Sequence, residues 1–462
     1  MKDVSSLILG KTEIPNDPTG TWMVVAPYEV EQKLARVHYA YSQIDRAIQV
    51  SLLGQREWGA HTLEERHRVL CRFAEQLLTQ KEELLSELMR ESGRPHHDVS
   101  LEWATLEQWV REFKQFKAEE QDPRGIVVVL ASCVWPLYYG VHFSMMALLA
   151  GNAVILKPSE KSTLSTLALA SAFKGEGVER VLQMVVGEKE FSRRLACHEK
   201  VGAVVFMGSY ETGIRLKQDT LHQAQKEVLL YLGSKNSAIL AHEHPQEALS
   251  QLIEDAFLSA GQNCRSISKI FIPRDRFAGW VELFHEAAKQ FKIGAPDSDA
   301  WMGPLLEDSM VDRYLKFCGI SEREGGTVVM RGKLLSQGKK SNTVTPTLVA
   351  FESVSEMQLL KSISLQTEIL SPHVSLIGYQ DEQELIALAN QSHYGHCASV
   401  WSTDGAEAQR VAKALEVGEV RINNSTLKLE PNAAFQAKKK SGNHAVHGFA
   451  VYHQLGLKKR IG

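Results

Sequence analysis

Apolar residues recur at three- and four-residue spacing over Glu29 to Ser51, Thr62 to Arg90 and Asp98 to Lys117, which predicts a helical first third. Thr62-Leu63-Glu64-Glu65 has the form of a capping box, and Gly93 followed by Pro95 supplies a stop. From Gly125 the pattern changes to short β-branched runs alternating with helical ones. Strands are expected at Gly125–Leu130, Ala153–Leu156, Val181–Val186 and Val201–Phe206, with helices at Leu137–Ala150 and Ser162–Phe173. A second alternating series begins near Leu229. It predicts strands Ser268–Ile272, His373–Gly378 and Ala398–Trp401, and helices Arg276–Phe291, Glu382–Asn390 and Ala406–Leu415. Alternation of this kind implies parallel sheets covered on both faces, hence an α/β fold of two doubly wound domains with a cleft between them.

Composition narrows the function. The 462 residues are 44% apolar, and 52 basic side chains against 55 acidic ones leave a net charge of −3, which gives no support to a nucleic-acid binder. Six cysteines stand far apart with no CxxC pair, arguing against a disulfide scaffold or a structural zinc and for a reducing cytoplasm. No secretory h-region develops after Met1. The apolar stretch Pro136 to Gly151 is broken by His142 and Ser144 and is too short to span a bilayer. A soluble, cytoplasmic protein with no membrane partner is expected. Gly332 to Asn342 reads as a polar loop, and Lys438–Lys440 and Lys458–Arg460 as short basic runs.

Four segments carry a family resemblance. Gly151-Asn152-Ala153-Val154-Ile155-Leu156-Lys157-Pro158-Ser159-Glu160 resembles the cofactor-binding strand of the aldehyde dehydrogenase superfamily. Phe206-Met207-Gly208-Ser209-Tyr210-Glu211-Thr212-Gly213 resembles its F-T-G-S-x-x-T-G turn, Gly261-Gln262-Asn263-Cys264 its nucleophile segment, and Thr367-Glu368-Ile369-Leu370-Ser371-Pro372 its E-E-x-F-G-P segment. They arrive in the family's order. Ser441-Gly442-Asn443-His444 is narrower and resembles the succinylglutamate-semialdehyde dehydrogenase branch.

The resemblance implies an NAD- or NADP-dependent oxidation of an aldehyde. Lys157, Ser159 and Glu160 inherit contacts to the adenosine half, with Glu368 a further cofactor contact. Gly208, Ser209 and Gly213 open a helix whose N–H groups can meet pyrophosphate. Cys264 is the candidate nucleophile: a thiolate adds to an aldehyde to give a thiohemiacetal, and loss of hydride leaves a thioester. Arg265, next in sequence, is expected to favour the thiolate. The other five cysteines read as core or incidental.

Catalytic positions depart from the family pattern. Val134 stands where the family has an oxyanion-binding asparagine, and Tyr231 stands where it has the glutamate that activates water. Loss of one oxyanion donor typically costs about 100- to 1,000-fold in rate, and tyrosine is a poor base near neutrality. Ala434-Phe435-Gln436-Ala437 followed by three lysines replaces a P-F-G-G turn, which puts lysines in an expected substrate cleft. The β-hairpin arm that usually precedes Gly125 is nearly absent, so a homo-oligomer is expected as a dimer. No metal ligands are expected.

The expected layout is residues 1–230 as N-terminal helices and the NAD(P)-binding domain, 231–415 as the cysteine-bearing domain, and 416–462 as a segment returning to the cofactor domain and an oligomer interface. The expected function is an aldehyde dehydrogenase acting on a semialdehyde, such as succinylglutamate semialdehyde. Two alternatives stand beside it: a degenerate relative that binds nucleotide or a protein partner, and a variant that passes the acyl group to coenzyme A.

Overall fold

A computed structural model describes residues 2–172, 177–335, 340–443 and 448–458. Phe173, the middle of the loop at 332–342, His444, and Lys459 and Arg460 of the last basic run lie outside the described residues.

Five parallel strands form the first sheet, in the spatial order Glu227–Tyr231, Val201–Met207, Ile126–Leu130, Ala153–Lys157, Leu182–Met184, extended by the antiparallel pair Leu7–Ile8 and Lys11–Thr12. Chain order reverses between Ile126–Leu130 and Val201–Met207. A parallel sheet opens a crevice at such a switch point, outside the carboxyl ends of its strands. The strands Ile126–Leu130 and Ala153–Lys157 are buried throughout. Continuous Val/Ile runs are therefore their signature, because helices cover both faces.

The second sheet runs Thr327–Met330, Thr347–Phe351, His373–Tyr379, Ile267–Pro273, Asn236–Leu240, Cys397–Trp401, Glu419–Ile422, with only the first strand antiparallel. The strand Glu227–Tyr231 pairs with Val201–Met207 and so closes the first sheet. The second series thus begins at Asn236, not near Leu229. Beyond residue 416 the chain serves both units. Glu419–Ile422 is an edge of the second sheet, whereas Val451, Tyr452 and Leu455 are buried in the core of the first.

The helical reading of the first third needs correction. Glu29–Tyr39 is a strand, paired antiparallel with Gly20–Ala26 and parallel with Lys2–Val4, and the helix starts only at Ser42. Val30, Leu34 and Val37 fit a helical period, but Ala35, Val37 and Tyr39 also alternate, and pairing with a distant strand selects the period of two. The predicted helix Thr62–Arg90 is two helices, Leu63–Leu78 and Lys81–Ser92. The Thr79 hydroxyl donates to the Gln76 carbonyl at 2.7 Å where the first one ends. The capping box forms as expected: the Glu65 N–H donates to the Thr62 hydroxyl at 3.2 Å, and the Thr62 N–H donates to the Glu65 carboxylate at 2.8 Å. Gly93, at φ 71°, ends the second helix in the left-handed region.

No helix among the described residues is long and apolar enough to cross a membrane.

Candidate active site

The loops leaving Leu130, Lys157 and Met207 at the switch point, together with the Cys264 and Glu368 segments of the second unit, enclose a cavity of about 850 Å³. Val134, Lys157, Ser159, Glu160, Gly208, Ser209, Tyr231, Cys264 and Glu368 all line it. Gly213 does not: it lies within the helix Tyr210–Thr220 and packs against Leu232.

At one end the Lys157 ammonium donates to Glu160 at 2.7 Å. Lys157 is buried, and burial holds its amine below the usual lysine range against the opposing pull of Glu160. The helix Tyr210–Thr220 opens on the same cavity, with the Ser209 hydroxyl accepting from the Thr212 N–H at 3.4 Å. Fixed N–H groups at a helix start favour an anion.

At the other end stands Cys264, on a turn with little freedom. Ser259, Ala260 and Gly261 adopt φ of 54°, 52° and 65° in succession, a conformation costly for the two residues with a Cβ. At Gly261 a Cβ would lie 2.5 Å from the Ser371 carbonyl oxygen. The turn is held from several sides. The Gln262 amide donates to the Ser259 carbonyl at 2.9 Å and accepts from the Leu306 N–H at 3.1 Å. The Asn236 amide donates to the Cys264 carbonyl at 2.8 Å. Strain persists only where neighbours over-determine it, and here they do.

The charge of Arg265 favours the Cys264 thiolate as expected but does not decide its state. Its fully buried guanidinium turns to the Thr426 carbonyl (2.5 Å) and to Glu419 (2.6 Å). Burial outweighs its charge and pushes the Cys264 thiol up to about 11. Cys133, read as incidental, lines the same cavity, and burial pushes its thiol up to about 11 as well.

Around Cys264 the wall is aromatic. Tyr231 is buried with its ring 4.8 Å from Phe143, and burial raises its phenol far above the ordinary value, so it stays neutral. Val134 offers no side-chain donor, and its N–H donates to the Ser132 hydroxyl at 3.1 Å. Glu368 accepts from the Ser234 N–H at 2.7 Å, and burial pushes its carboxyl up to about 7. A Cβ on Gly233 would overlap that carboxylate, so only glycine allows the approach.

Among the lining residues that the sequence reading passed over are His396 and Tyr139. His396 is buried with neither ring nitrogen hydrogen-bonded, and burial holds its imidazole neutral down to about pH 3. Tyr139, buried with its ring stacked on Phe143 at 6.0 Å, lines the cavity together with Cys264. Its only sequence signal is a position one turn into the helix that follows Val134.

The three lysines are elsewhere. Lys438–Lys439 pairs with Tyr394–Gly395, Lys439 is bound by Glu416 at 2.9 Å, and Lys440 sits over the Tyr210 ring beside a separate surface recess. Among the described residues of the Ser441–His444 motif, Asn443 accepts from the Leu230 N–H at 2.8 Å and Ser441 accepts from the Leu232 N–H at 2.9 Å. The motif fastens the strand that carries Tyr231. Among the described residues, no cluster of His, Cys, Asp or Glu could hold a metal ion.

Residues 15–459 match the model of the aldehyde dehydrogenase family. The chain belongs to that family. Solved structures agree with this at the level of the fold. An aldehyde dehydrogenase from Bartonella henselae superposes with a TM-score of 0.88 at 22% identity, over 98% of each chain. Aldehyde dehydrogenase C from Pseudomonas syringae, a cysteine-to-alanine variant complexed with NAD+ and octanal, gives 0.89 at 25% identity, over 98% of this chain and 95% of that one. A Mycobacterium tuberculosis aldehyde dehydrogenase complexed with NAD+ gives 0.88 at 24%, over 98% and 97%.

Proposed function

We propose that this protein is an NAD(P)-dependent aldehyde oxidoreductase that works through Cys264. The observation that carries this reading is one cavity joining the Lys157–Glu160 pair and a helix N-terminus to a thiol on a strained turn. The residues fit a dinucleotide: an ion pair for the ribose, N–H groups for pyrophosphate, and a glycine at 233 where the Glu368 carboxylate approaches the backbone. A nicotinamide held there supplies a hydride acceptor.

The chain's own residues then set the rate. Cys264 is a neutral thiol at working pH, so only a small thiolate fraction adds to the aldehyde. Val134 gives the resulting oxyanion no donor. Tyr231, buried against Phe143, cannot take a proton from water, so a thioester on Cys264 is long-lived. The substrate class we assign is a semialdehyde, succinylglutamate semialdehyde among them, supported by the resemblance of the Ser441–His444 motif.

The neutral Tyr231 favours a second reading, in which the thioester passes to a thiol such as coenzyme A or turnover is lost and nucleotide binding remains. Calorimetry with NAD+ and NADP+, followed by reduced-nicotinamide absorbance with a semialdehyde panel and with coenzyme A added, tests both. Binding with turnover supports the oxidoreductase. Turnover only with coenzyme A supports acyl transfer, and binding alone supports the degenerate relative.

A further inference from the structure

Against the cysteine turn lies a second, much smaller cavity of about 20 Å³, room for one water-sized guest. The turn and its exit contribute Gly261 and Ser266 to the wall, the segment after Thr367 contributes Glu368, Ser371 and His373, and Lys235 lines it as well. Four of these residues bury a polar atom that has no hydrogen-bond partner among the described residues: the Lys235 amine, the Ser266 and Ser371 hydroxyls, and Nδ1 of His373. All four are at most 7% exposed. The His373 ring is fixed by its other nitrogen, which shares a hydrogen bond with the Ser321 hydroxyl at 2.9 Å. Burying a polar group unpaired is costly, and a single guest in this cavity relieves all four groups together.

The charge balance identifies the guest. Lys269 is a second amine buried without a partner among the described residues, in the strand Ile267–Pro273 that pairs with the strand following Lys235. Burial, and then the like charge of Lys235, hold the Lys269 amine down at about 7. Against these two stands Glu368, which already accepts the Ser234 N–H at 2.7 Å and which burial pushes toward the neutral acid. An ammonium only donates, and hydroxyls and an imidazole N–H can donate beside it. The wall therefore suits an anion, and the volume admits a monatomic one and excludes sulfate or phosphate.

We propose that this cavity is a binding site for a single halide ion, chloride being the common one, held by the Lys235 ammonium with the Ser266 and Ser371 hydroxyls and the His373 ring. The ammonium and the halide neutralise each other, so neither is buried alone. The site lies outside the aldehyde-oxidising reading and does not depend on it, although Glu368 and Leu370 border both cavities. Bound there, the ion pins the turn that carries Cys264 to the segment that carries Glu368. Those segments already meet at Gly261, where a Cβ would lie 2.5 Å from the Ser371 carbonyl oxygen.

The test melts the full-length protein in sodium gluconate, with sodium chloride or sodium bromide replacing gluconate at a constant total of about 0.2 M, which keeps screening fixed. A ligand that binds only the folded state raises the melting temperature. Chloride and bromide should each raise that of the unmodified protein by about 2 °C more than that of Lys235→Met, in which general salt effects remain and the ammonium is gone. Crystals grown in sodium bromide should show an anomalous bromine peak among Lys235, Ser266 and Ser371. Equal halide responses in the two proteins would overturn the proposal, as would a cavity that holds water and no bromine. If Lys235→Met does not fold, Ser371→Ala takes its place: a halide response smaller than that of the unmodified protein supports the site, and an equal one rejects it. None of these measurements requires aldehyde turnover, so failure of the oxidoreductase reading leaves them unaltered.

Discussion

The Ser259 hydroxyl donates to the Asp98 carboxylate at 2.8 Å, which ties the strained turn before the nucleophile to a helix of the first unit. Asp98 is paired with Arg94 at 2.8 Å, and Arg94 also holds Glu102 at 2.6 Å. Glu102 accepts from the N–H groups of Leu137 (2.8 Å) and Tyr138 (3.2 Å) at the start of the helix that carries Tyr139. One buried charge cluster therefore sets both the cysteine turn and the tyrosine helix.

Removing the cation from that cluster should be severe. Arg94→Met leaves two carboxylates buried without a counter-charge, and breaking such a pair typically costs about 3–5 kcal/mol. Chemical denaturation should show a loss of this size. Ser259→Ala, which removes one hydrogen bond, should cost about 1 kcal/mol in the same measurement.

Three buried histidines should each make the fold sensitive to acid. His142, His373 and His396 are fully buried, and burial holds each imidazole neutral down to about pH 3 instead of the ordinary 6.5. Between those values the unfolded chain binds more protons than the folded one. Their contribution is therefore complete above about pH 6.5 and falls as pH drops toward 3, by up to about 1.4 kcal/mol per pH unit for each histidine, while Glu91 and Glu368, pushed up to about 7 by burial, and Asp255, pushed up to about 6, act in the opposite sense between about pH 7 and 4. Melting temperatures across pH 4 to 8 of the unmodified protein and of His396→Phe check this: the variant should lose less stability toward pH 4, and parallel profiles would contradict it.

Cofactor affinity should depend on the Lys157–Glu160 pair. Lys157→Ala removes a buried cation and leaves Glu160 without its partner at 2.7 Å. NAD(P)+ affinity measured by calorimetry should fall about tenfold or more. An unchanged affinity would place the cofactor elsewhere.

Restoring the two replaced groups should act together. Val134→Asn returns an oxyanion donor and Tyr231→Glu returns a base, and the two serve successive steps, so the double variant should gain far more aldehyde oxidation than either single one. Cys264→Ala in that background should abolish the gain. Glutamate at 231 would face Phe143, so its single variant is also expected to lose stability.

Light scattering should find a dimer. Between the helix ending at Phe113 and Gly125 the chain has only the short strand Asp122–Pro123, paired with Gly456–Leu457 of the same chain, at the place where the resemblance implies a hairpin arm. A stable tetramer at low micromolar concentration would count against this.

Local sequence carried much of the architecture and singled out side chains that the fold brings to one cavity. Strands such as Ile126–Leu130 are legible because a strand buried on both faces has no polar alternation to keep, and the helix Glu382–Asn390 because its amphipathic period is unbroken. Cys264, Lys157, Glu160 and Glu368 are legible because each sits in a short segment with fixed spacing. Tertiary structure decided the rest. Whether Glu29–Tyr39 is strand or helix depends on a partner strand that its own period does not name. Whether Cys264 is a thiolate depends on desolvation by elements distant in sequence, which overcomes the adjacent Arg265 once that side chain is drawn to Glu419. The grip of Asp98 on Ser259 joins residues far apart in the chain. Sequence periodicity records which positions are buried. It does not record what they are buried against, and it is the partner and the local dielectric that set proton affinity and reactivity.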